Sequence, residues 1–374
     1  MPANRIRLGD YHLAEIPAEG GDERRVASGP WDHIERVEWL PDGSGLVLQA
    51  IKEDGDGFEI WEVPYPEGPP RRITSDLNDY SGVSLTADGT TLVTQVMAGE
   101  DALWITYPGQ DTEPLQVTPG GQNYDVDGVS WTPDGRIVYG ATSMDGVDLW
   151  ISDVGSEKPT QITFGGTSSF PSVSPDGRFI VFVSSASSEN HIWRIDLDGG
   201  DPVQLTFGEE EIRPRCHPDG QSVYYLGKAH GGHLLFRVPI QGGEPAQVSD
   251  RIVGSRSPAI SPAGDQIAVR IYDEKMNKWN IEILQLDGEQ AWRVLDLEGV
   301  TYQWSPDGKA MVYGQYGNEV QKIWSQPLNG DPPRELVARP ANYLNSLEWA
   351  PDGKALALNL RDVNWDVVIL KNFH

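Results

Sequence analysis

Four arginines stand out by position in a chain that holds 29 Lys and Arg against 56 Asp and Glu. Arg36, Arg213, Arg215 and Arg256 each lie a few residues ahead of a recurring turn. A guanidinium is planar, always charged, and presents a fork of donors that matches a carboxylate. Several such groups converging on one cavity would suit a carboxylate, a sugar acid or an acidic peptide terminus. Paired with nearby Asp or Glu, the same side chains would only tie neighbouring elements together. Asp79, Tyr80, Asp125 and Asp127 occupy similar positions ahead of other turns. The candidate ligand-binding set is therefore Arg36, Asp79, Tyr80, Asp125, Asp127, Arg213 and Arg256, at the mouth of a channel.

Catalytic and metal chemistry find less support. No Gly-x-Ser-x-Gly nucleophile elbow, Gly-x-x-x-x-Gly-Lys-Ser/Thr phosphate loop or His-Glu-x-x-His zinc helix occurs. Of the seven histidines only His230 and His233 are close, three apart in a Gly-rich loop. With a third ligand they could hold a transition metal, but a solvated loop is the simpler reading. Glu53-Asp54-Gly55-Asp56-Gly57 and Asp125-Val126-Asp127-Gly128 begin like calcium loops, then place Phe58 and Val129 where an oxygen ligand should follow. Glu209-Glu210-Glu211 reads as a solvated charge run, and His217 and Cys216 as structural. No catalytic residue, metal site or cofactor is expected.

The elements that must position these residues come from a repeat. A Pro-Asp-Gly turn or a close variant recurs at Pro41, Ala87, Pro133, Pro175, Pro218, Pro262, Pro306 and Pro351. Proline presets φ, aspartate bonds its local backbone, and glycine takes the positive φ of a tight hairpin. Apolar residues alternate on both sides, as in Val37/Trp39 before the first turn and Leu46/Leu48 after it, which means strands. A third strand often carries tryptophan (Trp61, Trp104, Trp150, Trp193, Trp324), and a short fourth strand ends each unit, as in Gln204-Leu205-Thr206. Eight units of four antiparallel strands, spaced at a propeller-blade period, predict an all-β, eight-bladed β-propeller. A single domain spans residues 1–374. Its ring is closed by the N-terminal strand, Arg24 to Ala27, joining the last blade. The tryptophans just before the turns (Trp39, Trp131, Trp304, Trp349) read as inter-blade core, and Trp31, Trp279, Trp292 and Trp365 as the candidates for exposed contacts.

A net charge of −27 disfavours nucleic acid and anionic lipid as partners. No apolar run approaches the ~18 residues of a membrane span, and Met1 to Arg7 shows no apolar signal region. One cysteine excludes an intrachain disulfide.

The unit Ser174-Pro175-Asp176-Gly177-Arg178-Phe179-Ile180-Val181-Phe182, continuing through Ile192-Trp193-Arg194 to Gln204-Leu205-Thr206, resembles the TolB-type propeller repeat. The resemblance covers essentially the whole chain. Asp76 to Gly89 and the ending Asp366 to Phe373 look most like the C-terminal extracytoplasmic region of bacterial transmembrane serine/threonine kinases and membrane-anchored winged-helix regulators. That likeness implies a non-enzymatic interaction or sensor module, which binds a protein segment or small anionic ligand at the channel mouth. It implies a periplasmic or extracytoplasmic location as part of a larger membrane-anchored protein. The chain has no kinase triplets and would not phosphorylate. Two other readings are a lyase or hydrolase acting on a sugar acid or lactone, and an isolated or artificial structural scaffold.

Overall fold

The computed structural model describes residues 12–29, 31–52, 58–74, 79–110, 112–118, 126–143, 146–156, 158–230, 232–273, 278–286, 292–295, 297, 299–315, 320–340, 343–371 and 373. The described residues form strands and turns, and no helix among them is long and apolar enough to cross a membrane.

Where the recurring turn carries an aspartate, that aspartate closes it. Asp176 accepts the Ser174 hydroxyl at 2.6 Å and the Arg178 amide at 3.1 Å; Asp307 does the same with Ser305 and Lys309. The following glycine sits at positive φ, as Gly177 does at 69°. The fourth strand has its own logic. The hydroxyls of Thr74, Thr118, Thr163 and Thr206 accept amides of the third strand, from Ile60, Leu103, Leu149 and Ile192. A glutamine two residues earlier donates to the same threonine's carbonyl at Thr163 and Thr206. The recurring Gln-x-Thr thus locks a two-residue strand that backbone pairing alone would hold weakly.

The chain divides into two compact units, one of residues 1–99 and 363–374, the other Glu100–Asp362. In the larger unit five sheets of four antiparallel strands follow in chain order. Sheet I spans residues 126–161, sheet II 168–204, sheet III 212–247, sheet IV 259–295 and sheet V 299–340. The sixth, sheet VI, joins Tyr343–Trp349 to the long strand Leu356–Lys371, next to which runs the long strand Thr91–Thr106, paired in turn with Leu115–Gln116. Six apolar clusters connect these sheets in order. Leu149 and Val173 belong to the I–II cluster, Val181 and Val223 to II–III, Leu226 and Ile267 to III–IV. Ile283 and Trp304 belong to IV–V, Val312 and Leu358 to V–VI, and Ala357 and Val129 to VI–I. The sixth cluster returns to the first sheet, so within this unit the sheets pack as a cycle of six.

In the smaller unit a hairpin of His12–Glu15 and Arg24–Ser28 packs on the sheet of residues 31–72 through Ala27, Trp31 and Leu48. A second cluster, with Val47, Tyr80 and Leu92, joins that sheet to Asp79–Leu85 and the start of Thr91–Thr106.

Several expectations are thereby corrected. In place of eight four-stranded blades, the described residues form a two-stranded sheet, six four-stranded sheets and one five-stranded sheet. Arg24–Ser28 pairs with His12–Glu15 and does not join the last repeat to close a ring. The cause is local. In the second and last repeats no turn interrupts Thr91–Thr106 or Leu356–Lys371; Arg361 to Asp366 contains neither Gly nor Pro. Each runs on as a single strand of 16 residues, and the two lie side by side.

Candidate functional site

The first strand of a sheet is bent before it reaches the turn. Register shifts fall between Val126 and Val129, Ser169 and Ser172, and Ile212 and Arg215. The bulged residues Gly128, Phe170 and Arg213 each stand five positions before the turn proline, with φ of 85°, 52° and 57°. Glycine takes this conformation freely, but Phe170 and Arg213 hold it at a cost of order 1–3 kcal/mol each. They also touch: the Arg213 guanidinium lies 3.7 Å from the centre of the Phe170 ring. Phe170 in turn packs so closely on Gly128 that a Cβ there would fall 2.9 Å from the Phe170 Cα. Three neighbouring sheets thus build one wall by the same bulge.

That wall faces a cavity of about 230 Å³ to which five of the sheets and the segment leading into sheet IV contribute. Arg213 and Arg215 come from sheet III, Arg256 from the segment leading into sheet IV, and Asp127 from sheet I. Neither Arg213 nor Arg256 lies within 4.0 Å of a carboxylate among the described residues. Burial, then the neighbouring Arg256, push Arg213 down to about 10, while Asp127 acts in the opposite direction. This corner of the cavity holds two guanidiniums with no carboxylate in salt-bridge reach among the described residues, an environment an anion relieves.

Arg215 behaves differently. It donates to Glu348 at 3.0 Å, and Gln303 donates to the same carboxylate oxygen at 2.9 Å. The Arg215–Glu348 pair forms a waist, because Arg215 also lines a second cavity of about 330 Å³ on the side of the turns, with Trp131, Trp304 and Trp349. At the first cavity's other edge the buried Asp101 accepts Asn345 at 3.2 Å and stands 3.7 Å from Arg361.

Of the seven residues expected from sequence, Asp127, Arg213 and Arg256 line this one cavity. Arg36, Asp79 and Tyr80 belong to the smaller unit. There Arg36 is exposed, Asp79 accepts the Phe58 amide at 2.7 Å, and Tyr80 is buried in the core. Asp125 lies outside the described residues, as does the Glu53–Gly57 loop. Sequence reasoning missed Glu348, Asp101 and Arg361. Glu348 could have been found, since it stands three residues before Pro351 just as Arg215 stands three before Pro218. Asp101 and Arg361 enter on the two uninterrupted strands and carried no such signal.

Other candidates resolve structurally. The Glu209–Glu211 run is not uniformly solvated: Glu211 is 3% exposed and bonds the buried His191 at 2.9 Å, whereas Glu210 pairs with Lys228. His233 stands 3.8 Å from Glu210, and His230 is exposed. No group of three His, Cys, Asp or Glu suited to a metal occurs among the described residues. The Cys216 thiol is pushed up to about 12 by burial, and His217 bonds the Gly264 carbonyl. Trp31, read as exposed, is buried edge-on against Trp61; Trp279 is half-exposed beneath Arg270.

The comparisons with known proteins agree with this fold. Residues 120–299 match the family described as the TolB beta propeller domain. An uncharacterized protein of Agrobacterium fabrum is 24% identical over 302 residues, which cover 76% of this chain and 85% of that protein. The solved structure of a protein of Agrobacterium tumefaciens assigned as TolB superposes with a TM-score of 0.58 at 18% identity, covering 72% of this chain and all of that one. A chain of the nidogen/laminin complex gives 0.51 at 12% identity, covering 73% and 99%. The chain has a TolB-like β-propeller fold.

Proposed function

We propose that the larger unit is a six-bladed ligand-binding propeller. It holds a carboxylate-bearing ligand, a small anion or the acidic end of a protein segment, in the cavity of Arg213 and Arg256. The supporting observation is the pair of arginines facing one cavity without a carboxylate in salt-bridge reach among the described residues, in a protein of net charge −27. Among the described residues no histidine, glutamate or lysine lines this cavity, which supports interaction or sensing over hydrolysis or elimination. The sequence resemblance favours a position outside the cytoplasmic membrane, within a larger membrane-anchored protein whose kinase or regulator half reads the ligand.

A thermal-shift screen against monocarboxylates, sugar acids and acidic peptides tests this. A ligand at about 100 times its Kd contributes roughly 2.7 kcal/mol, which for a unit of this size raises Tm by ~5 °C or more. Arg213→Ala and Arg256→Ala should each weaken binding at least tenfold. An unchanged shift in both variants, or no shift with any anion, contradicts the proposal.

A further inference from the structure

The cavity of Arg213 and Arg256 lies toward the end of the larger unit at which the chain enters each first strand, and the Pro-Asp-Gly turns lie at the other end. Three successive connections on the entry end carry exposed apolar side chains: Phe164 between sheets I and II, Phe207 between II and III, and Ile252 between III and IV. Phe164 and Phe207 are 77% and 78% exposed. Packing does not demand these rings. Each directly follows the threonine of a Gln-x-Thr segment, and after Thr118 and Ser249 the same position holds Pro119 and Asp250. Arg213 follows Phe207 by six residues, and Arg256 follows Ile252 by four, so the apolar rim and the guanidiniums belong to the same stretches of chain. Apolar side chains left in water around a site mark a surface that something covers.

We infer that the ligand is the C-terminus of a protein segment, its α-carboxylate on Arg213 and Arg256 and its last apolar side chains across Phe164, Phe207 and Ile252. This rests on the anion-binding reading above and narrows it. Volume, charge and rim carry it. The cavity of about 230 Å³ lies below the roughly 300–1,000 Å³ of drug-sized sites, so a chain that enters has no room to turn and leave. The way through is crossed by Arg215 and Glu348, paired at 3.0 Å, so what enters ends there. Of the two kinds of chain end, an ammonium is repelled by the guanidiniums, and a carboxylate is held in their donor forks. A small anion would leave the three rim side chains in water, whereas a segment running out of the cavity covers them.

The test is calorimetry of the whole chain with short N-acetylated peptides ending in leucine, valine or phenylalanine, each made as the free acid and as the C-terminal amide. The free acids should bind, and each amide should bind at least tenfold more weakly. Phe164→Ser and Phe207→Ser should each weaken the free-acid peptide by about tenfold and leave the affinity for small monocarboxylates unchanged. Both rings are exposed, so the Tm of either variant without ligand should be unchanged, which separates recognition from folding. An amide that binds as well as its free acid overturns this inference, as does a peptide affinity that neither substitution moves. Absence of binding by every free-acid peptide, with monocarboxylates or sugar acids still binding, overturns it equally and leaves the anion site standing. Absence of binding by any anion removes both readings.

Discussion

Trp39 and Trp304 occupy the same place in two repeats, two residues before the turn, and meet opposite fates. In the larger unit Trp304 is 3% exposed, packs with Ala268 and Met311, and donates its indole N–H to the Ala259 carbonyl of the preceding sheet at 2.9 Å. In the smaller unit Trp39 is 52% exposed and meets the Tyr65 ring edge-on. The residues two positions earlier follow suit: Tyr302 is buried and Val37 is 44% exposed. The repeat motif specifies the sheet, and the neighbouring sheet decides whether the motif's aromatic is core.

The largest expected effect sharpens that contrast. Trp304→Ala should cost about 3–5 kcal/mol in denaturant unfolding, and Trp39→Ala less than about 1 kcal/mol. Equal losses would break the comparison and make Trp39 a core residue. A smaller effect separates two ion pairs. Removing Glu211 strands His191, which is 8% exposed, and should cost about 1–3 kcal/mol. Removing Glu15 from its exposed pair with Arg24 should leave the unfolding midpoint unchanged. The smallest effect is shared by the units. Asp88 in one and Asp176 in the other are held below the usual carboxylate range by the hydroxyls of Thr86 and Ser174. Asp134 is lowered to about 2, chiefly by Arg136 and then Thr132. A depressed folded pKa contributes stability present above the unfolded value of 3.8 and lost as pH falls toward 2. Asp134→Asn should therefore lose a small contribution to stability at pH 7, change little near pH 2, and so flatten the acid limb below pH 4. NMR titration should find Asp88 and Asp176 low alike, and a difference between them would mean that packing, not the turn, sets their pKa.

Much of this was legible in the chain. Pro-Asp-Gly and Gln-x-Thr are local chemistry, so the hairpins and the short fourth strands could be read directly. Counting back from a turn picked out Arg213 and Asp127, which sit at or beside the bulge of a first strand, and Arg256, which lies ahead of its strand, and all three line one cavity. Strand exchange was not legible. A missing turn between strands, as from Arg361 to Asp366, is a weak signal beside eight regular turns, and it redirected sheet VI and brought in Asp101 and Arg361. Nor does a sequence pattern show that Phe170 and Arg213 sit at positive φ.

That strain gives the most direct test. If Arg213 is held in an unfavourable conformation to meet a ligand, Arg213→Gly should keep or raise Tm while abolishing the ligand-induced shift. A thermal melt of this variant with and without ligand reads both. Higher or unchanged stability with lost binding is the predicted result. A Tm several degrees lower, with the ligand shift intact, would make Arg213 a structural tie to Phe170 and contradict a binding role for the cavity wall.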